Sequence, residues 1–314
     1  MSIGEKARLA AHTAEWVAKQ ERGSPRMLRL MAYVSLRLGR RVSRVPLYLI
    51  ALYFFVFAPG ARRHSRRYLG LVLGRPPTAA ERYRHLLYFS TTIHDRVFLI
   101  NERDAQFEIS IEGTALMEAQ LASGHGAFLM GSHMGSFEVV STVGRRQPGL
   151  HVVMTMYEAN ARKINAILNA INPGAKADVI PLGRVDSMLN ISERLERGSF
   201  VGVLGDRTLG DEPMQDVTVL GVRTRLPTGP MRTAAILGRS VIFMAGLYRG
   251  GNRYHVVFAP LADFSQTPAG TRAAAVAAAV DRYALLLDQY CRSDPFNWFN
   301  FFDFWPAESG KQGK

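Results

Sequence analysis

The stretch Ala127-Phe128-Leu129-Met130-Gly131-Ser132-His133-Met134-Gly135-Ser136-Phe137-Glu138 decides the fold of this chain. A short apolar run of four residues followed by a glycine reads as a buried strand that ends in a turn. The turn carries a histidine at its tip, and a carboxylate follows five residues later, where a helix begins. Gly131 and Gly135 let the backbone approach a substrate closely. His133 and Glu138 in this setting make a candidate general base, in which the carboxylate fixes the imidazole tautomer and stabilises the imidazolium. The competing reading is a structural histidine at a strand end.

Outward from this stretch the pattern alternates strands and helices. Strands are expected at residues 107–111, 127–130, 151–156, 178–182 and 200–204. Helices are expected at 114–122, 159–171 and 185–197. Such βα repeats imply a mixed, mostly parallel sheet covered by helices, an α/β fold whose sites lie at the carboxyl ends of the strands. Residues 217–222 and 223–226 suit a short antiparallel excursion. A helix at 228–237, capped by Thr228, follows. Strands at 241–247 and 254–258 flank a Gly250-Gly251-Asn252 turn, and an alanine-rich helix covers 273–290.

The first hundred residues read as helical, with Thr78 and Glu81 in a capping-box pattern. The expected organisation is an N-terminal helical arm, 1–100, and an α/β catalytic domain, 101–314. Within the arm, residues 45–59 (VPLYLIALYFFVFAP) are uncharged and almost wholly apolar. As a helix they would reach roughly 22 Å, short of a hydrocarbon core of roughly 30 Å. Arg37, Arg40, Arg41 and Arg44 precede them, and Arg62, Arg63, Arg66 and Arg67 follow. Basic residues on both sides suit a monotopic element or a single short anchor on an anionic cytoplasmic leaflet; an ordinary buried helix is the alternative.

The 314 residues carry a formal charge of +13, and only six of the 39 basic residues are lysine. From Arg22 to Arg67 there are eleven arginines and no Asp or Glu. Such a surface suits anionic lipids or an acidic carrier protein. No helix-turn-helix, zinc-finger or RNP-like pattern accompanies the charge, so nucleic acid is not an expected partner. The single cysteine, Cys291, excludes an internal disulfide. No Gly-x-Ser-x-Gly elbow supports a serine nucleophile. No histidine spacing supports a metal, and no cofactor is expected.

The HX4E pattern of His133 and Glu138 after a strand resembles the signature of the bacterial lipid A late acyltransferases, membrane relatives of the glycerophosphate acyltransferases. Two further blocks match in order: Leu204-Gly205-Asp206-Arg207-Thr208-Leu209-Gly210 at a strand end, and Leu226-Pro227-Thr228-Gly229-Pro230 opening a helix. The resemblance runs from about residue 50 to the C-terminus. It implies that His133 and Glu138 are catalytic, that the donor is an acyl carrier protein or coenzyme A thioester, and that the acceptor is a hydroxyl of a membrane lipid at the cytoplasmic face of the inner membrane.

By the same resemblance Asp206 is a structural or substrate-positioning residue, unless it only pairs with Arg207. Gly131, Ser136 and Arg207 are further substrate-binding candidates. The family's intervening arginine matches loosely, with Arg162, Lys176 and Arg184 as candidates and Arg184 in the better context. The tail from Trp298 to Trp305 carries six aromatics in eight residues. It reads as a cap on the core, or as an acyl-chain wall. It also resembles the lipid-A-acyltransferase-like proteins of aryl polyene pathways, so a polyene or another glycolipid is an alternative acceptor. A lipid hydrolase using the same dyad and a lipid-binding scaffold are the remaining alternatives.

Overall fold

A computed structural model describes residues 25–172, 178–183, 186–207 and 212–305. Its centre is a seven-stranded sheet. In chain order the strands are β1 (Glu108–Glu112), β2 (Phe128–Gly131), β3 (Val152–Tyr157), β4 (Val179–Leu182), β5 (Phe200–Leu204), β8 (Ser240–Tyr248) and β9 (Arg253–Asp263). In space they run β1-β9-β8-β2-β5-β3-β4. Every neighbouring pair is parallel except β8 and β9, which form an antiparallel hairpin over Gly250 and Gly251. The excursion between β5 and β8 forms a separate two-stranded antiparallel sheet, β6 (Met214–Val219) and β7 (Val222–Pro227). The α/β fold, with a mostly parallel sheet, is therefore the one the apolar runs implied.

Both faces of the sheet are covered, which is why its central strands read as continuous apolar runs rather than alternating ones. The strand period still sorts their side chains. Phe128 and Met130 of β2, with Phe243, Ala245 and Leu247 of β8, face one core with α9 (Gly229–Ile236) and α10 (Arg272–Ser293). Leu129, Ile242 and Met244 face the other core, with α4 (Ala79–Ile100) and α6 (Phe137–Arg146). The remaining covering helices are α5 (Thr114–Ala122), α7 (Glu158–Ile171) and α8 (Ser187–Glu196). Cys291 is fully buried on α10.

Residues 25–100 are helical, as α1 (Pro25–Ser43), α2 (Val45–Phe57), α3 (Pro59–Leu73) and α4. Gly39, at φ 76°, kinks α1, and α2 meets α3 at a 94° bend before Pro59. The α4 capping box forms: Thr78 Oγ1 accepts from the Glu81 amide at 3.2 Å, and Glu81 accepts from the Thr78 amide at 2.7 Å. Thr228 behaves differently from expectation. It stands at the N-cap of α9, but its hydroxyl donates to the Pro213 carbonyl at 3.1 Å and caps nothing.

The basic block is divided between surface and interior. Arg40 donates to both oxygens of Asp95 at 2.7 Å, fully inside the fold, and Arg67 pairs with Asp303. Arg37, Arg41, Arg63 and Arg66 remain exposed.

Candidate active site

The turn after β2 is fixed by backbone contacts to two distant segments. Ser136 N–H donates to the Gly246 carbonyl at 2.8 Å, and Gly135 N–H donates to the Asn297 carbonyl at 2.9 Å. Phe299 N–H donates to the His133 carbonyl at 2.9 Å. Gly135 has a positive φ of 67°, and a Cβ there would lie 1.9 Å from the Gly246 oxygen, so no other residue fits without moving β8. Gly131, the last residue of β2, is buried; its carbonyl accepts from Gly205 N–H at 3.0 Å and from the Tyr283 hydroxyl at 2.9 Å.

This turn delivers His133 to the end of the adjacent strand β5, where Asp206 follows. His133 Nδ1 lies 2.9 Å from Asp206 Oδ1, and the His133 amide donates to Oδ2 at 3.0 Å. The Trp298 indole N–H adds a third bond to Oδ2 at 3.1 Å. Burial alone would raise the Asp206 carboxyl. The charge and hydrogen bond of His133, the charge of Arg207 and the indole outweigh it, and its pKa falls well below the usual carboxylate range. An ionised carboxylate only accepts, so the proton of the neutral ring resides on Nδ1 and the lone pair on Nε2. Burial, with the nearby Arg207 guanidinium, lowers the His133 pKa and favours that neutral ring. The side chain stays 31 % exposed, and Nε2 has no hydrogen-bond partner among the described residues.

Glu138 faces elsewhere. Its carboxylate lies 2.6 Å from Arg96 Nε of α4 and accepts from the Ser136 hydroxyl at 3.1 Å. The expected His133–Glu138 pair is thus resolved into two pairs, His133–Asp206 and Glu138–Arg96. The cause is geometric. The intervening residues are pinned to the tail and to β8, so the histidine points toward β5 while Glu138, in the first turn of α6, points toward α4.

Among the other candidates, Arg207 is beside the site. It donates to the Phe299 carbonyl at 3.1 Å and lies over the Phe302 ring at 4.5 Å; burial lowers its pKa to about 10. Its neighbour Asp206 is bonded to His133 and Trp298, so a role confined to pairing with Arg207 does not describe it. Arg162 is exposed on α7. Lys176, Arg184 and residues 208–210 lie outside the described residues. The residues unforeseen from sequence are Trp298, Arg96 and His85. His85 is fully buried behind the tail, its Nε2 3.0 Å from the Trp298 carbonyl and its Nδ1 2.9 Å from the Ser65 hydroxyl.

The parallel α/β sheet carries a carboxylate-oriented histidine at the end of a central strand, and among the described residues no serine or cysteine is hydrogen-bonded to that histidine, an arrangement suited to general-base chemistry. Comparison with protein families gives the particular family: the bacterial lipid A biosynthesis acyltransferase family matches residues 28–305, and the chain belongs to it. The protein is accordingly an acyltransferase, of a family that transfers acyl chains to lipid acceptors. Comparison with individually curated proteins gives no match.

Proposed function

We propose that the protein transfers an acyl chain from an acyl carrier protein thioester to a hydroxyl of a lipid A-like membrane lipid, with His133 as the general base. The observation that carries this reading is the orientation of His133, whose Nδ1 is held by a buried carboxylate and whose Nε2 has no hydrogen-bond partner among the described residues. Nε2 takes the proton of the acceptor hydroxyl as its oxygen attacks the thioester carbonyl, forming the C–O bond. Collapse of the tetrahedral intermediate breaks the C–S bond, and the imidazolium returns the proton to the departing thiolate. Asp206 holds the ring and stabilises the imidazolium. Glu138 pairs with Arg96 and accepts from the Ser136 hydroxyl, which holds the start of α6 beside the histidine turn.

A general base contributes about 10²- to 10⁴-fold in rate, so His133→Ala should lower turnover by at least about 10²-fold. The base works neutral, so the rate rises as pH passes upward through the His133 pKa. Because that pKa is lowered, the acid limb should fall below the ordinary histidine value of about 6.5.

The site of action we propose is the cytoplasmic leaflet of the inner membrane. Among the described residues no single helix is long and apolar enough to cross a bilayer; only α2 and α3 together reach that length and composition, and they are sharply bent. The thirteen residues of α2 nevertheless leave Leu49, Leu52, Tyr53, Phe54, Val56 and Phe57 exposed, with Leu49 at 71 %. Met27, Leu30 and Leu38 of α1 are exposed as well. An apolar surface of this extent, flanked by Arg37, Arg41, Arg63 and Arg66, suits insertion into one anionic leaflet. The same arginines suit an acidic carrier protein.

The test is mass spectrometry of total lipids from a deletion strain complemented with wild type or His133→Ala. An acyl group restored only by wild type identifies the acceptor. Identical lipids with both would refute the assignment of the base.

A further inference from the structure

Trp298 belongs to a segment that reads in sequence as a cap on the core, yet its contacts converge on the reacting group. We infer that residues 297–299, through the Trp298 indole, position His133 for proton transfer, and that the C-terminal segment is part of the acyl-transfer site. This inference rests on the reading of His133 as the base. Trp298 is a positioning residue: it acts through Asp206 and touches neither imidazole nitrogen.

Three observations support the inference. First, Asp206 is bonded by the amide and ring of His133 and, independently of that residue, by the Trp298 indole. A carboxylate held by one residue alone can rotate with it; a second, independent donor on Oδ2 fixes its plane and so fixes the ring. Second, the tail pairs with the histidine turn as a short antiparallel ladder, with Met134 opposite Trp298 and bonds from Phe299 to His133 and from Gly135 to Asn297. Third, the tail is itself anchored on every side. The Asn297 side chain accepts from Tyr248 N–H at 2.7 Å and donates to the Tyr248 carbonyl at 3.0 Å. The indole is fully buried, edge-on against Tyr68, Phe304 and Trp305, and the Trp298 carbonyl is engaged by His85.

The indole also withdraws charge from the carboxylate. Without it, Asp206 holds the imidazolium more tightly, and the His133 pKa moves up. The other charged or titratable groups facing this pair are Arg207, Tyr283 and Cys291, each of which interacts with Asp206 or His133 directly rather than through the indole.

The test compares Trp298→Phe with Trp305→Phe in the full-length protein in detergent. Trp305 is also buried, but its indole donates to the Val219 carbonyl at 3.2 Å, away from Asp206, so it reports the cost of losing a buried indole bond as such. The first readout is the titration of the His133 ring by 15N-histidine NMR, assigned by difference with His133→Ala; it needs no substrate. Trp298→Phe should raise the His133 midpoint by about half a pH unit or more, and Trp305→Phe should leave it in place. The second readout is thiol release from a dodecanoyl-pantetheine thioester with extracted envelope lipid as acceptor. Trp298→Phe should lower kcat about tenfold, the value of one hydrogen bond to a charged group, with KM unchanged. A midpoint in Trp298→Phe equal to that of wild type and Trp305→Phe would overturn the inference. Full activity in His133→Ala would instead overturn the reading on which it rests.

Discussion

His85 should make the protein acid-labile in a way that can be calculated. Its ring is fully buried between α3 and the tail, and burial lowers its pKa to about 4, against an ordinary value of 6.5. The Nε2 proton is committed to the Trp298 carbonyl, and Nδ1 accepts from Ser65, so the neutral ring satisfies both neighbours. The unfolded chain binds a proton at higher pH than the folded one does. This contribution to stability is therefore fully present above pH 6.5 and is lost as pH falls toward 4. Between pH 7 and pH 4.5 the loss from this one group amounts to about 2 to 3 kcal/mol, or roughly 4 °C in Tm for a chain of this size. The assay is thermal or urea unfolding in detergent at both pH values, for wild type and His85→Gln. The glutamine variant should be weaker at pH 7 but should show a pH dependence smaller by that amount. Asp206 and the other carboxylates contribute equally to both proteins and cancel. The same pH dependence in wild type and His85→Gln would refute the argument.

Gly135→Ala should cost at least about 2 kcal/mol in unfolding experiments and abolish acyl transfer, because the new Cβ meets the backbone of β8 at a positive φ. Gly221→Ala, at φ 78° but with nothing within 4 Å, should cost only about 1 kcal/mol and spare activity. Glu138→Gln and Arg96→Met should be non-additive: the double variant should be about as active as the worse single one, since the two side chains form one pair, measured by thiol release. A Glu138→Gln enzyme with a displaced acid limb, alongside an Arg96→Met enzyme without one, would return Glu138 to His133. Leu49→Glu with Phe57→Glu should release the protein from anionic vesicles in a flotation assay, whereas salt alone should only weaken binding.

Much of the fold was legible because its central strands are buried on both faces. Residues 127–130, 200–204 and 241–247 are apolar runs too short for helices, and each became a strand within a residue or so of expectation. Glycines after helices and the Thr78 box placed the boundaries between them. Thr228 was misread because a threonine before a Gly-Pro helix start looks like a cap, while its hydroxyl is claimed by Pro213, fifteen residues back. The strand β9 runs to Asp263, beyond the expected 258, because its far half pairs with β8 across a register shift between Val241 and Ile242 that no local periodicity encodes.

The same distinction between local and remote contacts explains the site. The position of His133 followed from a strand and a glycine turn, both local. The partner of His133 did not, because a spacing of five residues across a strand–turn–helix says which residues are near in sequence and not which way each side chain faces. Two outside segments settle that direction. The tail pairs with residues 133–135, and β8 holds Gly135 and Ser136 through Gly246. With the turn clamped from both sides, the imidazole meets the residue that ends the neighbouring parallel strand, 73 positions away, and the helix start turns its carboxylate to α4. A parallel sheet makes this outcome natural, since adjacent strands end at the same edge and place Gly131 beside Leu204, hence His133 beside Asp206. The aspartate block and the histidine block are therefore one site because β2 and β5 are neighbours in register.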